Sequence, residues 1–376
     1  MDSDGDLDLL APDYSDDAGN SVSVRFNNGQ GVFSGSQSVP VNNGCYGAAL
    51  GDVDGDGDLD LLTANGRTNS VSIRFNDGQG GFSGSQNMAV GSNPHNVVVG
   101  DVDADGDLDF LVANSNASTV SVGLNDGRGT FSAGSVVSVG VNPFGLAVAD
   151  VDGDGDLDLI TCSPSAAGAI SIRLNNGGGI FGGGQDLLNN NSNGYGAFSV
   201  TTGDVDGDGD LDVLASNANG GGPGSVLLGL NNGSGGFSAG QSVSVGRATQ
   251  GVAVADVDGD GDLDILAANS NDSNVSIRLN QNSGGTAGAP TDRLLPNIIT
   301  PNHDSQNEFF VINEPARGPW AITVYSRWGQ RVYHSPNYQN DWGADSPGGV
   351  YFYLLEPADG GPAKKGWVEC VAVQTA

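Results

Sequence analysis

The sequence predicts an all-β chain: a β-propeller of about six blade equivalents, taken as a fragment of a larger propeller, followed by a small Ig-like β-sandwich. Three observations carry this. An acidic nonapeptide of the form Asp-x-Asp-Gly-Asp-Gly-Asp-Leu-Asp begins at Asp52, Asp101, Asp150, Asp204 and Asp256, a period of about 50 residues that belongs to stacked repeat units. The 62 glycines and many Asn and Ser residues, set between short apolar runs, describe turn-rich β structure rather than disorder. All four tryptophans and both lysines lie C-terminal to the repeats, so the two parts have different cores.

Within a unit the elements keep one order. An apolar run enters the acidic loop, as at residues 95–100 or 251–255, and a short strand at 59–65 leaves it. The stretch 70–76, Ser-Val-Ser-Ile-Arg-Phe-Asn, has the period of two and the β-branched residues of a strand. The turn 76–82, Asn-Asp-Gly-Gln-Gly-Gly-Phe, suits a tight hairpin, because Asx and Gly residues accept the dihedrals it needs. A weaker fourth strand runs from about Phe82 to Val90. Four antiparallel strands in a unit of this length make a propeller blade. Phe33, Phe82, Phe131, Phe181 and Phe237 recur as blade-packing plugs, and Arg25, Arg74, Arg173 and Arg278 recur at one strand position. The first unit lacks its inner strand, and the sixth lacks the turn phenylalanine and a fourth strand. The outer two blades are therefore expected to be incomplete.

The nonapeptide carries the chemistry. In residues 52–60 five carboxylates repel one another unless a cation sits among them. Alternate spacing with two glycines lets the loop curl until the carboxylates converge, an oxygen cage suited to a hard dication, above all Ca2+. Asp52, Asp54, Asp56 and Asp60 would give side-chain oxygens at positions 1, 3, 5 and 9, and Asp58 its backbone carbonyl. The same roles fall to Asp101, Asp103, Asp105, Asp109 and Asp107, with Ala104 in place of the first glycine. They fall likewise to Asp150, Asp152, Asp154, Asp158 and Asp156, to Asp204, Asp206, Asp208, Asp212 and Asp210, and to Asp256, Asp258, Asp260, Asp264 and Asp262. A sixth copy opens the chain with Asp2, Asp4, Asp6 and Asp8 but no carboxylate at position 1. Up to six ions are expected, the first site incomplete and weakest. No Glu follows at position 12 and no helical pattern flanks the loops, so these are not EF-hands.

These repeats resemble the FG-GAP/VCBS family over roughly residues 1–282. The resemblance rests on the acidic loop, the Val-Ser-Ile-Arg-Phe-Asn strand and the Asn-Asp-Gly-x-Gly-x-Phe turn. It implies an integrin-α-like propeller, in that family usually of about seven blades, whose loops join the first and second strands of each blade and carry Ca2+.

The formal net charge of −32 is concentrated here: residues 1–287 hold 36 acidic and 7 basic side chains, and 29 of those acids are the loop aspartates. The charge therefore describes unfilled metal sites, and it argues against nucleic acid or anionic membrane as a partner. Cys45, Cys162 and Cys370 are widely spaced and give neither a disulfide framework nor a zinc pattern. Cys45 and Cys162, set among small residues, are expected to be packed thiols. No apolar run reaches membrane-spanning length. No signal peptide opens the chain and Met1 falls inside a repeat, so the natural N-terminus with its signal peptide is expected to be missing.

A Gly/Ser/Asn/Ala/Pro stretch at residues 281–290 marks a linker, placed at residues 283–294. Beyond it, residues 295–376 hold strand-like runs at 309–312, 321–325, 350–355 and 367–373, enough for a small β-sandwich. This tail resembles the gliding-motility-associated C-terminal domain, the type B sorting domain of type IX secretion. The matching residues are Pro296-Asn297-Ile298-Ile299-Thr300-Pro301-Asn302, Tyr325-Ser326-Arg327-Trp328-Gly329, Gly349-Val350-Tyr351-Phe352-Tyr353 and Lys365-Gly366-Trp367-Val368. Trp342-Gly343-Ala344-Asp345 departs from the Trp-Asp-Gly more usual in that family. The resemblance implies export by the type IX machinery across the outer membrane of a Bacteroidetes-type bacterium, to be retained at the surface or released.

Catalysis has little to stand on. His95 is the only histidine of the repeats, expected in a structural or surface role, and His303 and His334 lack a partner cluster at zinc spacing. No nucleophile elbow, P-loop or dinucleotide fingerprint is present, and a carboxylate that holds Ca2+ is a poor general acid or base. The residues describe a non-enzymatic, Ca2+-stabilised surface propeller for adhesion or for binding an extracellular glycan or protein. One alternative is a non-catalytic or lyase-like part of a larger polysaccharide-degrading enzyme, weakened by repeats with seven arginines and no lysine. The other is a structural spacer.

Overall fold

A computed structural model describes residues 1–13, 20–165, 169–188, 196–219, 222–239, 242–280, 298–299, 320–326, 330–342, 349–357 and 364–370. The chain divides into two compact units, Met1–Gly284 and Gly285–Ala376, and no α-helix occurs among the described residues. The first unit is a series of six antiparallel sheets. The first holds β1 (Leu9–Asp13), β2 (Ser21–Asn27) and β3 (Phe33–Pro40); the second holds β4 (Cys45–Gly51), β5 (Asp60–Asn65), β6 (Ser70–Asn76) and β7 (Phe82–Ala89). The third holds β8 (Pro94–Gly100), β9 (Asp109–Asn114), β10 (Thr119–Asn125) and β11 (Phe131–Ser138). The fourth holds β12 (Gly145–Ala149), β13 (Asp158–Cys162), β14 (Ala169–Asn175) and β15 (Phe181–Leu188). The fifth holds β16 (Val200–Gly203), β17 (Asp212–Asn217) and β18 (Pro223–Leu230), against which both β19 (Ser238–Ala239) and β20 (Val243–Arg247) pair. The sixth holds β21 (Thr249–Ala255), β22 (Asp264–Asn269) and β23 (Asn274–Arg278). Inner strands β4, β8, β12, β16 and β21 neighbour one another in turn, as propeller blades require. Among the described residues the first sheet has no inner strand and the sixth has three strands; residues 281–297, on which the expectation of no fourth strand falls, lie outside the described residues.

Alternation along each strand sorts side chains between neighbouring blades. In β6, Val71 and Ile73 are fully buried against Val97, Phe110 and Val112 of the following blade. From the other face of β6, Arg74 donates Nε–H to the Pro40 carbonyl of the preceding blade at 2.9 Å. Arg173 and Arg278 make the same reach, to Ser138 and Ser244. Five apolar clusters fill the five gaps between six blades, and each fully buried branched side chain stabilises by roughly 1.5–3 kcal/mol. The free thiols Cys45 and Cys162 lie in this packing. A polar clamp accompanies it: Nδ2 of Asn76, Asn125, Asn175, Asn231 and Asn280 donates to the second residue of the preceding acidic loop, at 2.7–2.9 Å. A bulge at Ile73/Phe75 opposite Gly84, whose φ is 83°, bends the outer strand.

In the second unit β24 (Ile298–Ile299), β25 (Trp320–Ser326), β26 (Arg331–Ser335), β27 (Gly349–Pro357) and β28 (Lys364–Cys370) form one sheet in the order β24-β28-β27-β25-β26. Only the β24–β28 pair is parallel. Trp320, Ile322, Val324, Tyr338, Trp342, Tyr351 and Leu355 make its core. Strands β25, β27 and β28 fall on three of the runs expected from sequence. The run at 309–312, the linker 283–294, most of the 296–302 motif, Arg327-Trp328-Gly329 and residues 343–345 lie outside the described residues. Strand β26 was not anticipated: it is a short edge strand whose Val332 faces solvent, so it carries almost no apolar period.

Candidate metal centres

Each complete acidic loop joins an inner strand to its neighbour: 52–60 links β4 to β5, 101–109 β8 to β9, 150–158 β12 to β13, 204–212 β16 to β17 and 256–264 β21 to β22. The first aspartate makes the curl. Asp52 accepts the Gly55 N–H on Oδ1 at 2.9 Å and the Gly57 N–H on Oδ2 at 3.0 Å. Asp150, Asp204 and Asp256 hold the corresponding glycines. Gly55 and Gly57 sit at φ of 77° and 94°, values that side chains resist. Ala104 stands at φ 61° where the other complete loops have glycine, at a cost of about 1 kcal/mol. Ala104→Gly is expected to raise the melting temperature by about 2 °C; a lower melt would mean that the alanine is unstrained.

The ninth position is the buried end of the loop. Asp60, Asp109, Asp158, Asp212 and Asp264 are all fully buried. In each, one oxygen accepts the N–H of loop position 2 and the other the N–H of the hairpin Asn; for Asp60 these are Val53 at 3.0 Å and Asn76 at 2.8 Å. One carboxylate thus fastens the loop to the turn of the same blade, and each oxygen keeps a second lone pair. In four loops the oxygens of positions 1, 3 and 9 lie within 4.8 Å of one another: Asp52, Asp54 and Asp60; Asp101, Asp103 and Asp109; Asp150, Asp152 and Asp158; Asp204, Asp206 and Asp212. In the last loop the trio is Asp256, Asp258 and Asp260, without Asp264.

The other predicted ligands are placed differently. Asp56, Asp105, Asp154 and Asp208 stand outside the trios and accept the N–H of position 7. The side chains of Asp58, Asp107, Asp156 and Asp210 lie against the hairpin glycines Gly78, Gly127, Gly177 and Gly233, which leaves the carbonyl as the ligand expected of them. Asp262 belongs to no trio. In the first loop Asp2, Asp4, Asp6 and Asp8 form no trio either: the Met1 ammonium donates to Asp8 Oδ2 at 2.7 Å, Asp4 accepts the Asp6 N–H, and Asp6 faces Gly29.

The donor set fits a hard cation. The buried Oδ1 of Asp103 accepts no hydrogen bond, an expense that a bound dication removes. Burial first, then the neighbouring carboxylates, raise Asp54, Asp103, Asp152, Asp206 and Asp258 above the usual carboxylate range. Burial pushes Asp60, Asp109 and Asp158 up to about 6 despite the two N–H donors each has, and raises Asp212 for the same reason. These are the shifts that an adjacent dication reverses.

Sequence reasoning missed a second constellation. At the opposite ends of the inner strands, Tyr46 stacks on His95 with centroids 4.0 Å apart, His95 on Phe144 at 3.8 Å, and Phe144 meets Phe198 edge-on at 5.7 Å. Burial holds His95 down to about 4, so its ring is neutral at physiological pH. The signal was present: each ring stands six residues before the first loop aspartate of its own blade.

Residues 1–63, 52–112, 101–161 and 214–267 match the FG-GAP-like repeat. The chain belongs to the FG-GAP-like repeat family. The loop 204–212 falls between the matched stretches, yet it carries the same trio. Residues 294–370 match the CHU_C type IX secretion signal domain, which implies contact with that machinery and export to the cell surface or extracellular space of a Bacteroidetes-type bacterium. Together these describe a secreted β-propeller protein. No curated protein sequence matches the chain. Among solved structures it is similar to the BP39L lectin of Burkholderia pseudomallei (14% identity, 96% of this chain and 91% of that one, TM-score 0.53). It is also similar to a Bacteroides uniformis protein assigned as a 6-phosphogluconolactonase (13% identity, 73% and 78%, TM-score 0.53). At these identities the likeness shows the fold alone. Among the described residues no helix is long and apolar enough to cross a membrane.

Proposed function

We propose that this chain is a Ca2+-stabilised, non-enzymatic propeller that binds an extracellular glycan or protein in adhesion. In this reading residues 1–282 form the propeller, 283–294 a linker and 295–376 the sorting domain that sends it through type IX secretion. The observation that carries it is the convergence of three carboxylates in each of five loops, on a chain with an export signal. Extracellular Ca2+ sites bind at about 0.1–1 mM, so such loops fill outside the cell. The ring ladder of Tyr46, His95, Phe144 and Phe198 supports ligand binding at the end of the blades away from the loops, where aromatic rings offer apolar faces and edges. A glycan and matrix-protein array probed with the Ca2+-loaded chain is expected to give a hit that Tyr46→Ala and Phe198→Ala weaken at least tenfold. Binding untouched by both substitutions would move the ligand off this face, and an array with no Ca2+-dependent hit would leave a spacer. For the tail, a periplasmic reporter fused to residues 291–376 is expected outside the cell in a host with type IX secretion; a reporter held in the periplasm would count against the sorting role.

A further inference from the structure

The carboxylate trios are held from two blades at once. The ninth-position carboxylate takes the N–H of loop position 2, as Asp109 Oδ2 takes that of Val102 at 3.0 Å and Asp158 Oδ2 that of Val151 at 2.9 Å. The carbonyl of that same residue is engaged by the turn of the following blade. Val53 accepts from Nδ2 of Asn125 at 2.8 Å, and Val102, Val151 and Val205 accept from Asn175, Asn231 and Asn280 at 2.7 Å. All four valines are buried between the blades, where a carbonyl without a donor is costly.

Position 3 is backed by the same turn. A Cβ on Gly129 would come within 3.3 Å of the Asp54 Cβ, one on Gly179 within 3.6 Å of the Asp103 Cβ, and one on Gly235 within 3.1 Å of the Asp152 Cβ. Gly179 also donates its N–H to the Val102 carbonyl at 2.8 Å. Two of the three converging carboxylates, those at positions 3 and 9, therefore rest on parts of the following blade.

An asparagine suits this junction because its amide carries two donors and an acceptor on a short stem. Asn125 gives one N–H to the Val53 carbonyl of the preceding loop and the other to the Leu108 carbonyl of its own loop at 3.1 Å. Its Oδ1 accepts the Asp126 N–H at 2.9 Å. Asn175 and Asn231 repeat all three bonds. An aspartate at this place would set lone pairs against two carbonyls.

We propose that Asn125, Asn175, Asn231 and Asn280 are positioning residues for the cation of the preceding blade, so that these four centres are composites of two blades and the ion ties the pair together. This rests on the trios binding Ca2+. A loop whose following blade has moved away keeps its carboxylates but loses the support of positions 3 and 9, and it holds the ion more weakly. Calcium thus acts across the gaps between blades as well as within each hairpin.

Hydrogen exchange read by mass spectrometry over a calcium titration tests this, because each loop falls in a peptide of its own. In the wild-type chain the segments 52–60, 101–109, 150–158 and 204–212 are expected to gain protection with calcium. Asn125→Ala should raise the calcium needed to protect 52–60, in the blade before its own, by about tenfold, as the loss of a group that orients metal ligands does. Segment 101–109, in the blade that carries the substitution, should move by less than about twofold. It keeps the backbone N–H of residue 125 on Asp109 and the clamp from Asn175. Asn280→Ala, at a half-buried position, repeats the test elsewhere: 204–212 should shift and 150–158 should not. A shift confined to 101–109 would overturn the proposal by placing the effect within the blade, and equal shifts in every loop would overturn it by marking a general loosening. Wild-type loops that gain no protection from calcium would remove the metal reading itself, and the proposal with it.

Discussion

Excess chelator is expected to lower the melting temperature of this chain by about 10 °C or more, and millimolar Ca2+ to restore it. A site with a dissociation constant of about 0.1–1 mM gains about 0.4–1.4 kcal/mol at about 1 mM free Ca2+, and five trios are present. The gains add because the loops lie in separate blades. The pH dependence reverses between the two forms. In chelator, Asp60, Asp109 and Asp158 have folded values of about 6, above their unfolded range. A raised carboxylate favours the folded state only as it is protonated, so the metal-free chain should gain stability as pH falls from about 7 through 6 towards 4. With Ca2+ bound the same protons compete with the ion, and the melt should fall over that range. A differential scan at pH 7.5 and 5.5, with and without Ca2+, reads both signs. Identical melts in chelator and Ca2+ would remove the structural role of the loops.

Asp109→Asn is expected to cost about 3–5 kcal/mol and to lower the melt by roughly 10 °C. The side chain is fully buried, and its two oxygens accept the N–H groups of Val102 and Asn125 at 3.0 and 2.9 Å. An amide keeps one acceptor and turns an N–H2 towards the other N–H, so a buried donor loses its partner and a ligand oxygen is lost with it. Asp105→Asn changes the same formal charge in the same loop. That side chain stands outside the trio and accepts one N–H near the surface, so the cost should stay below about 1 kcal/mol. Chemical denaturation of the two variants in Ca2+ compares them directly; equal losses would mean that overall charge, not the buried carboxylate, sets loop stability.

Much of this was legible in the residues. The nonapeptide fixes its own curl through Asp52 and two glycines, and its period of about 50 residues fixes the blade. The first sheet without an inner strand followed from a strand pattern that starts at the acidic loop. Three things were not legible, for separate reasons. The double acceptor role of Asp60 needs the third strand folded back so that Asn76 reaches it, a contact 16 residues away that local spacing does not encode. The division of the carboxylates into a trio and two outliers depends on side-chain direction, which the order of acidic positions leaves open. The aromatic ladder mixes Tyr, His and Phe, so it appears as a pattern only when the units are aligned on their loops.

Equilibrium dialysis against calcium counts the ions directly. About five per chain are expected near millimolar free Ca2+, one for each carboxylate trio, with the loop at the start of the chain contributing little. Asp109→Asn should remove one of them. A chain that binds no calcium under these conditions, yet melts as before, would contradict a metal-pinned propeller.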